Sequence, residues 1–310
     1  MADRLASLLT RIADEESALP ADDLHQLSDL SASSAAAFER AWPTLSAHRR
    51  RDILHRLAEI SRYNFEVDFF PIALMGVRDQ DSGVRLTALD MFWDAEAPEL
   101  IAPLLRLLHQ DPEVTVQAGA AQVLGRFVLA GELGQLSHQV FDHLTSDLLT
   151  IINDLERPLL VRCRALEALA AASLSEVQAL VQDAYQSQED VLRIGAVAAM
   201  GRTADPCWES IVLAELESDN PSMRYHAARA AGMLALNELV LPLVELLDDP
   251  DSEVMIASIR ALGEIGGDEA RSALECLLDD GDIGDLARDA LEMTESLGGL
   301  PLPPLRSLGS

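Results

Sequence analysis

The sequence predicts an all-α fold, a right-handed superhelix of about eight helical hairpins. Three observations point there. A nine-residue string recurs at a near-fixed interval. Each copy follows an acidic turn, and before that turn lies a second apolar stretch. Composition agrees: 49% of the residues are hydrophobic and only 4% aromatic, and an excess of alanine and leucine favours helix over sheet.

The clearest copies are RCRALEALA from Arg162, RIGAVAAMG from Arg193, RYHAARAAG from Arg224 and MIASIRALG from Met255, each 31 residues after the last. Weaker copies start at Arg51, Arg85, Gln117 and Gly284, with remaining intervals of 34, 32, 45 and 29. A period this regular marks a repeat architecture. Offsets of three and seven from the anchor share one helix face. The residues at offsets three and six are mostly small, so neighbouring helices can approach closely.

Taken in order, residues 1–32 are expected to form N-terminal capping helices, because Leu5, Leu8, Leu9 and Ile12 fall at helical spacing. Residues 33–296 are the repeat array. Each unit is a first helix such as ELIAPLLRLLHQ, a turn such as HQDPEV, SDNPS or DDPDSE, and a second helix that carries the anchor. Pro, Asp, Asn and Ser in those turns end one helix and cap the next. A single pair has too little apolar face to fold alone, so it must stack on its neighbours. The 45-residue interval contains an insertion near 127–147, read as a longer helix or a protruding loop. Residues 297–310, rich in Gly and Pro, are expected to be a disordered tail.

The string D-x-x-x-(V/M)-R-x-x-A-x-x-A-(L/A)-G, seen over Asp219–Gly232, resembles the HEAT-like repeats, in the short subtype of about 31 residues also found in phycobilin lyases. The resemblance implies an α-solenoid. It also implies that the anchor arginines Arg85, Arg162, Arg193 and Arg224 pair with aspartates of the preceding turns and tie adjacent units together. It says little about function.

Charge and missing residues exclude several classes. The chain has 52 acidic and 23 basic residues, net −29, with no lysine. No lysine can form a Schiff base or serve a P-loop. The charge opposes nucleic acid and anionic membranes. HEAT-like deoxyhypusine hydroxylases hold iron through His-Glu pairs, and none of the seven histidines here is followed by glutamate. HEAT-like DNA glycosylases need a basic, aromatic face, which this composition lacks. The acidic runs at 248–253 and 279–285 do not fit a calcium loop. Cys163, Cys207 and Cys276 lie in no metal-ligand spacing. Trp42, Trp93 and Trp208 are too scattered to nominate a pocket. No signal-peptide core and no apolar run of about 18 residues is present. These features suggest a cytoplasmic, bacterial protein with no cofactor and no metal.

Positions on the second helices outside the buried stripe are expected to line an inner, concave surface. They are Arg126, Arg164, Arg202, Tyr225, His226, Arg229 and Arg260. Residues 46–62 carry five arginines and two acids, whereas residues 241–295 carry 16 acids and three arginines. That asymmetry suits a protein partner or head-to-tail association of a chain that is otherwise monomeric. The functional expectation is a non-enzymatic scaffold or adaptor for another protein. The alternative is a lyase-type chaperone for a chromophore or cofactor.

Overall fold

A computed structural model describes all residues except 1, 16–17, 29, 65, 93–95, 282 and 299–310. Most of the tail expected to be disordered, and Trp93, lie outside the described residues. Among those described, 76% are helical, in eighteen α-helices joined by short 3-10 turns, with no strand. Among the described residues no helix is long and apolar enough to cross a membrane, and no group of three or more ligating side chains could hold a metal ion. The chain divides into two compact units, 1–165 and 166–310.

The first unit contains α1 (Ala2–Ala13), α2 (Ala21–Leu24), α3 (Ala32–Ala41), α4 (Ala47–Tyr63), α5 (Phe70–Gly76), α6 (Ser82–Asp90), α7 (Ile101–Gln110), α8 (Val114–Glu132) and α9 (His138–Asn153); α10 (Leu159–Leu169) begins in it. Helices α4, α6 and α8 pack in sequence as second helices of their pairs. Caps set the starts: the Ser46 side chain accepts from Arg49 N–H, and Asp81 from Val84 N–H, satisfying donors that the first turn leaves open. Leu8 and Ile12 of α1 are fully buried. The interval around 127–147 is helical apart from the turn between α8 and α9, where Gly134 has φ +75°. Gly131 permits the close approach of Phe141, because a Cβ at Gly131 would collide with that ring.

The second unit contains α11 (Ser175–Tyr185), α12 (Asp190–Arg202), α13 (Glu209–Leu216), α14 (Pro221–Leu234), α15 (Val240–Glu245), α16 (Ser252–Ile265), α17 (Gly267–Glu275) and α18 (Gly284–Gly298). The pairs are α11 with α12, α13 with α14, α15 with α16 and α17 with α18, and the second helices pack in the row α12, α14, α16, α18. The small residues of the repeat make that row tight. A Cβ on Gly201 would stand 2.6 Å from Ala230 Cα, one on Gly232 2.9 Å from Ala261 Cα, and one on Gly263 3.0 Å from Ala290 Cα. The glycine at offset eight of one helix thus faces the alanine at offset six of the next. Any side chain there would force the row apart.

Polar clamps accompany this packing. Arg224 donates through Nε and Nη2 to both carboxylate oxygens of Asp249, at 2.7 and 2.9 Å, and through Nη1 to Ser218 O at 2.8 Å. Asp249 also accepts from Asp251 N–H at 2.9 Å. In the first unit Arg85 repeats the device, reaching Asp111 at 2.7 and 2.8 Å and Asp79 O at 2.8 Å, while Asp111 accepts from Glu113 N–H. Arg50 lies 3.1 Å from Asp79, which accepts from Asp81 N–H. The direction differs from the sequence expectation. The arginine takes the carboxylate from the turn inside the next pair, just before the next second helix, and only backbone carbonyls from the turn before its own helix. An aspartate placed there holds the N–H of the residue that starts the next second helix and the arginine of the previous one at once. Arg193 sits 3.6 Å from Glu215 instead, and Arg162 donates to Ile152 O at 2.9 Å.

Two of the five arginines in the basic stretch 46–62 are buried. Arg49 is buried and donates to Ile12 O and Asp14 O, the open carbonyls at the end of α1. Arg50 is buried in its clamp, and Arg56 bonds Asp52 and Leu19 O. Three of the five arginines therefore hold the fold, while Arg51 and Arg62 are exposed.

Candidate functional site

Residues one, five and nine positions after the anchor lie one turn apart on a single helix face. On α14 these are Tyr225, Arg229 and Met233, and on α16 Ile256, Arg260 and Glu264. Together with Glu253 they line a groove of about 170 Å³ between the two helices. Arg229 and Arg260 are exposed and make no ion pair among the described residues. That contrasts with Arg50, Arg85 and Arg224, which are held in clamps. The Arg229 guanidinium carbon lies 5.7 Å from the Tyr225 ring centroid, within cation–π range. Met233 is 37% exposed at the groove edge. The Glu264 carboxylate reaches back from α16, with Oε2 beside Gly232. Partial desolvation raises its pKa, and the nearby charges of Arg229 and Arg260 pull it back down.

Of the seven residues expected on a binding surface, the fold brings together Tyr225, Arg229 and Arg260. His226 is half-buried, with its ring edge-on to Tyr225 at 5.1 Å, and does not line the groove. Arg202 lies on α12, outside the groove, at the offset that Met233 holds on α14. Arg126 on α8 and Arg164 on α10 belong to the first unit. Sequence reasoning did not single out Met233 or Ile256 as lining residues; extending the offset pattern by one turn in each direction finds both.

A larger cavity of about 440 Å³ lies in the first unit, between α3 and α5. Phe38, Trp42, Ile72 and Met75 are among its walls. Its buried polar groups are already engaged: Trp42 Nε1 donates to Asp79 at 2.6 Å, and Arg50 pairs with the same carboxylate. Glu39, Arg78 and Gln80 also line it.

Residues 209–294 match the family model for HEAT repeats. No curated protein matches the chain. Among solved structures, the complex of CpcE and CpcF of phycocyanin lyase from Nostoc sp. PCC7120 is similar at 13% identity, over 92% of this chain and 97% of that one, with a TM-score of 0.53. Human deoxyhypusine hydroxylase is similar at 19% identity over 85% and 96% of the two chains, TM-score 0.37. Importin beta is similar at 14% identity over 94% and 44%, TM-score 0.41. The repeated pairs and the small residues between successive second helices agree with the match, so residues 209–294 carry HEAT repeats, and the fold of the chain is similar to that of helical repeat proteins.

Proposed function

We propose that the chain is a non-enzymatic scaffold or adaptor that binds a protein partner on the exposed face of α14 and α16. The carrying observation is the pair of exposed, unpaired arginines, Arg229 and Arg260, side by side in a chain of net charge −29. An acidic protein segment suits that pair, and Tyr225 and Met233 add apolar contact of the kind enriched at interfaces. In this reading residues 1–32 cap the array, Arg126, Arg164, Arg202 and His226 contribute at most at its margins, and the protein works as a cytoplasmic monomer.

The test is partner recovery from lysate of the native host. Arg229→Glu combined with Arg260→Glu should abolish recovery of the partner while leaving the helical circular dichroism signal unchanged. Equal recovery by this variant and the unmodified chain would discard the reading. A second reading, a chaperone for a chromophore, draws support from the similarity to the phycocyanin lyase complex. In that case an added bilin should change its absorption spectrum on mixing with the protein.

A further inference from the structure

We infer that the groove between α14 and α16 takes an extended acidic segment with two carboxylates three residues apart and an apolar side chain between them, and that the Glu264 carboxylate in the groove lining opposes its arrival. This inference deepens the reading above and rests on it.

Spacing comes from the packing. Packed helices lie 8–10 Å apart, and the Gly232–Ala261 contact draws α14 and α16 toward the lower end of that range. Arg229 and Arg260 occupy the same offset on these two helices, so their backbone positions repeat at about that distance, and their side chains can hold two carboxylates at a similar spacing. A polyproline-like extended chain places every third side chain on one face, at about 9 Å. Carboxylates three residues apart therefore meet both arginines. A helix would need residues seven apart to present two carboxylates on one face at about 10 Å, and its 10–12 Å width is too great for a groove this small.

The groove also selects against a continuous polyanion. Glu253 and Glu264 line it. On α18 the matching offsets are Asp285 and Asp289, both exposed. Phosphates along a nucleic-acid strand would meet these carboxylates, whereas a peptide charged at two positions only avoids them. Tyr225, Met233 and Ile256 provide the apolar contact between the two charged positions.

Glu264 supplies the second half of the inference. Its carboxylate extends from α16 to Gly232 of α14 and feels both arginines. It makes no ion pair with either arginine, but it adds a negative charge to the groove lining and so opposes an incoming carboxylate.

The test is fluorescence anisotropy with the full chain and two labelled peptides of one composition. One has its two glutamates separated by leucine and proline. The other has them adjacent. The spaced peptide should bind about tenfold more tightly. Arg229→Gln or Arg260→Gln should each weaken it about tenfold, and Glu264→Gln should tighten it about threefold. Circular dichroism on each variant checks that the fold is kept. Equal affinity for the two peptides, no binding of either, weaker binding by Glu264→Gln, or a preference for a single-stranded oligonucleotide would each overturn the inference. If the peptides bind equally but the double Glu variant still loses the host partner, this inference fails while the scaffold reading stands.

Discussion

Replacing Asp249 with alanine should destabilise the second unit more than any single surface change. The Asp249 side chain is 4% exposed and the Arg224 side chain 14%. It accepts two short bonds from Arg224 and one from Asp251 N–H. Removing one partner of a buried pair costs about 3–5 kcal/mol, because the other charge stays behind without compensation. Arg224 keeps its bond to Ser218 O and some water, so the lower end applies, about 3 kcal/mol. For a unit of this size that corresponds to a fall in melting temperature of about 6–12 °C. Adding Arg224→Met should recover part of the loss, since no charge then remains unpaired, with a coupling of about 2 kcal/mol. The assay is thermal unfolding followed by circular dichroism on both single variants, the double variant and the unmodified chain. The pH dependence has a defined sign. The Arg224 hydrogen bond holds the Asp249 carboxyl below the ordinary carboxylate range; desolvation opposes this, and the Asp251 N–H adds to it. A carboxyl with a lowered folded pKa contributes its full stabilisation above its unfolded value, about 3.9, and loses it as pH falls through the folded value. The gap between the unmodified chain and Asp249→Ala should therefore be constant near neutrality and shrink only below about pH 4. A cost under about 1 kcal/mol, or additive effects in the cycle, would refute the clamp.

Gly263→Val should cost about 1–3 kcal/mol, since a Cβ there would stand 3.0 Å from Ala290 Cα. Gly281→Ala, whose Cβ meets nothing within 4 Å, is the control in the same melting assay. Trp42→Phe should cost about 1 kcal/mol by removing the bond to Asp79, with the Arg50 pair left in place. Equal melting of Trp42→Phe and the unmodified chain would mean that this bond adds nothing to the Arg50 contact.

The repeat was legible because packing imposes a fixed grammar on it. Alanine at offset six and glycine at offset eight recur because helix backbones touch there, and both residues are visible in a single copy such as RYHAARAAG. The clamp partner was harder to place. Aspartates flank each second helix on both sides, and one-dimensional spacing does not say which turn folds back onto the arginine. The same ambiguity affected the first unit: the string was anchored at Arg51, but Arg50 is the buried partner of Asp79. Arg49 and Arg50 looked like surface charge because only the fold shows that they reach carbonyls and a carboxylate of other segments. The cavity around Trp42 was missed since its walls come from α3 and α5, which lack the repeated string. The site was half legible. Tyr225, Arg229 and Arg260 follow from the offsets, whereas the fact that Arg229 and Arg260 line one groove without an ion pair needs coordinates.

Amide hydrogen exchange on the unmodified chain and on Asp249→Ala tests most directly whether stability here is built from contacts between neighbouring pairs. Loss of protection should be largest in α14 and α16, smaller in α12 and α18, and absent from residues 1–165. A uniform loss across the whole chain would contradict it.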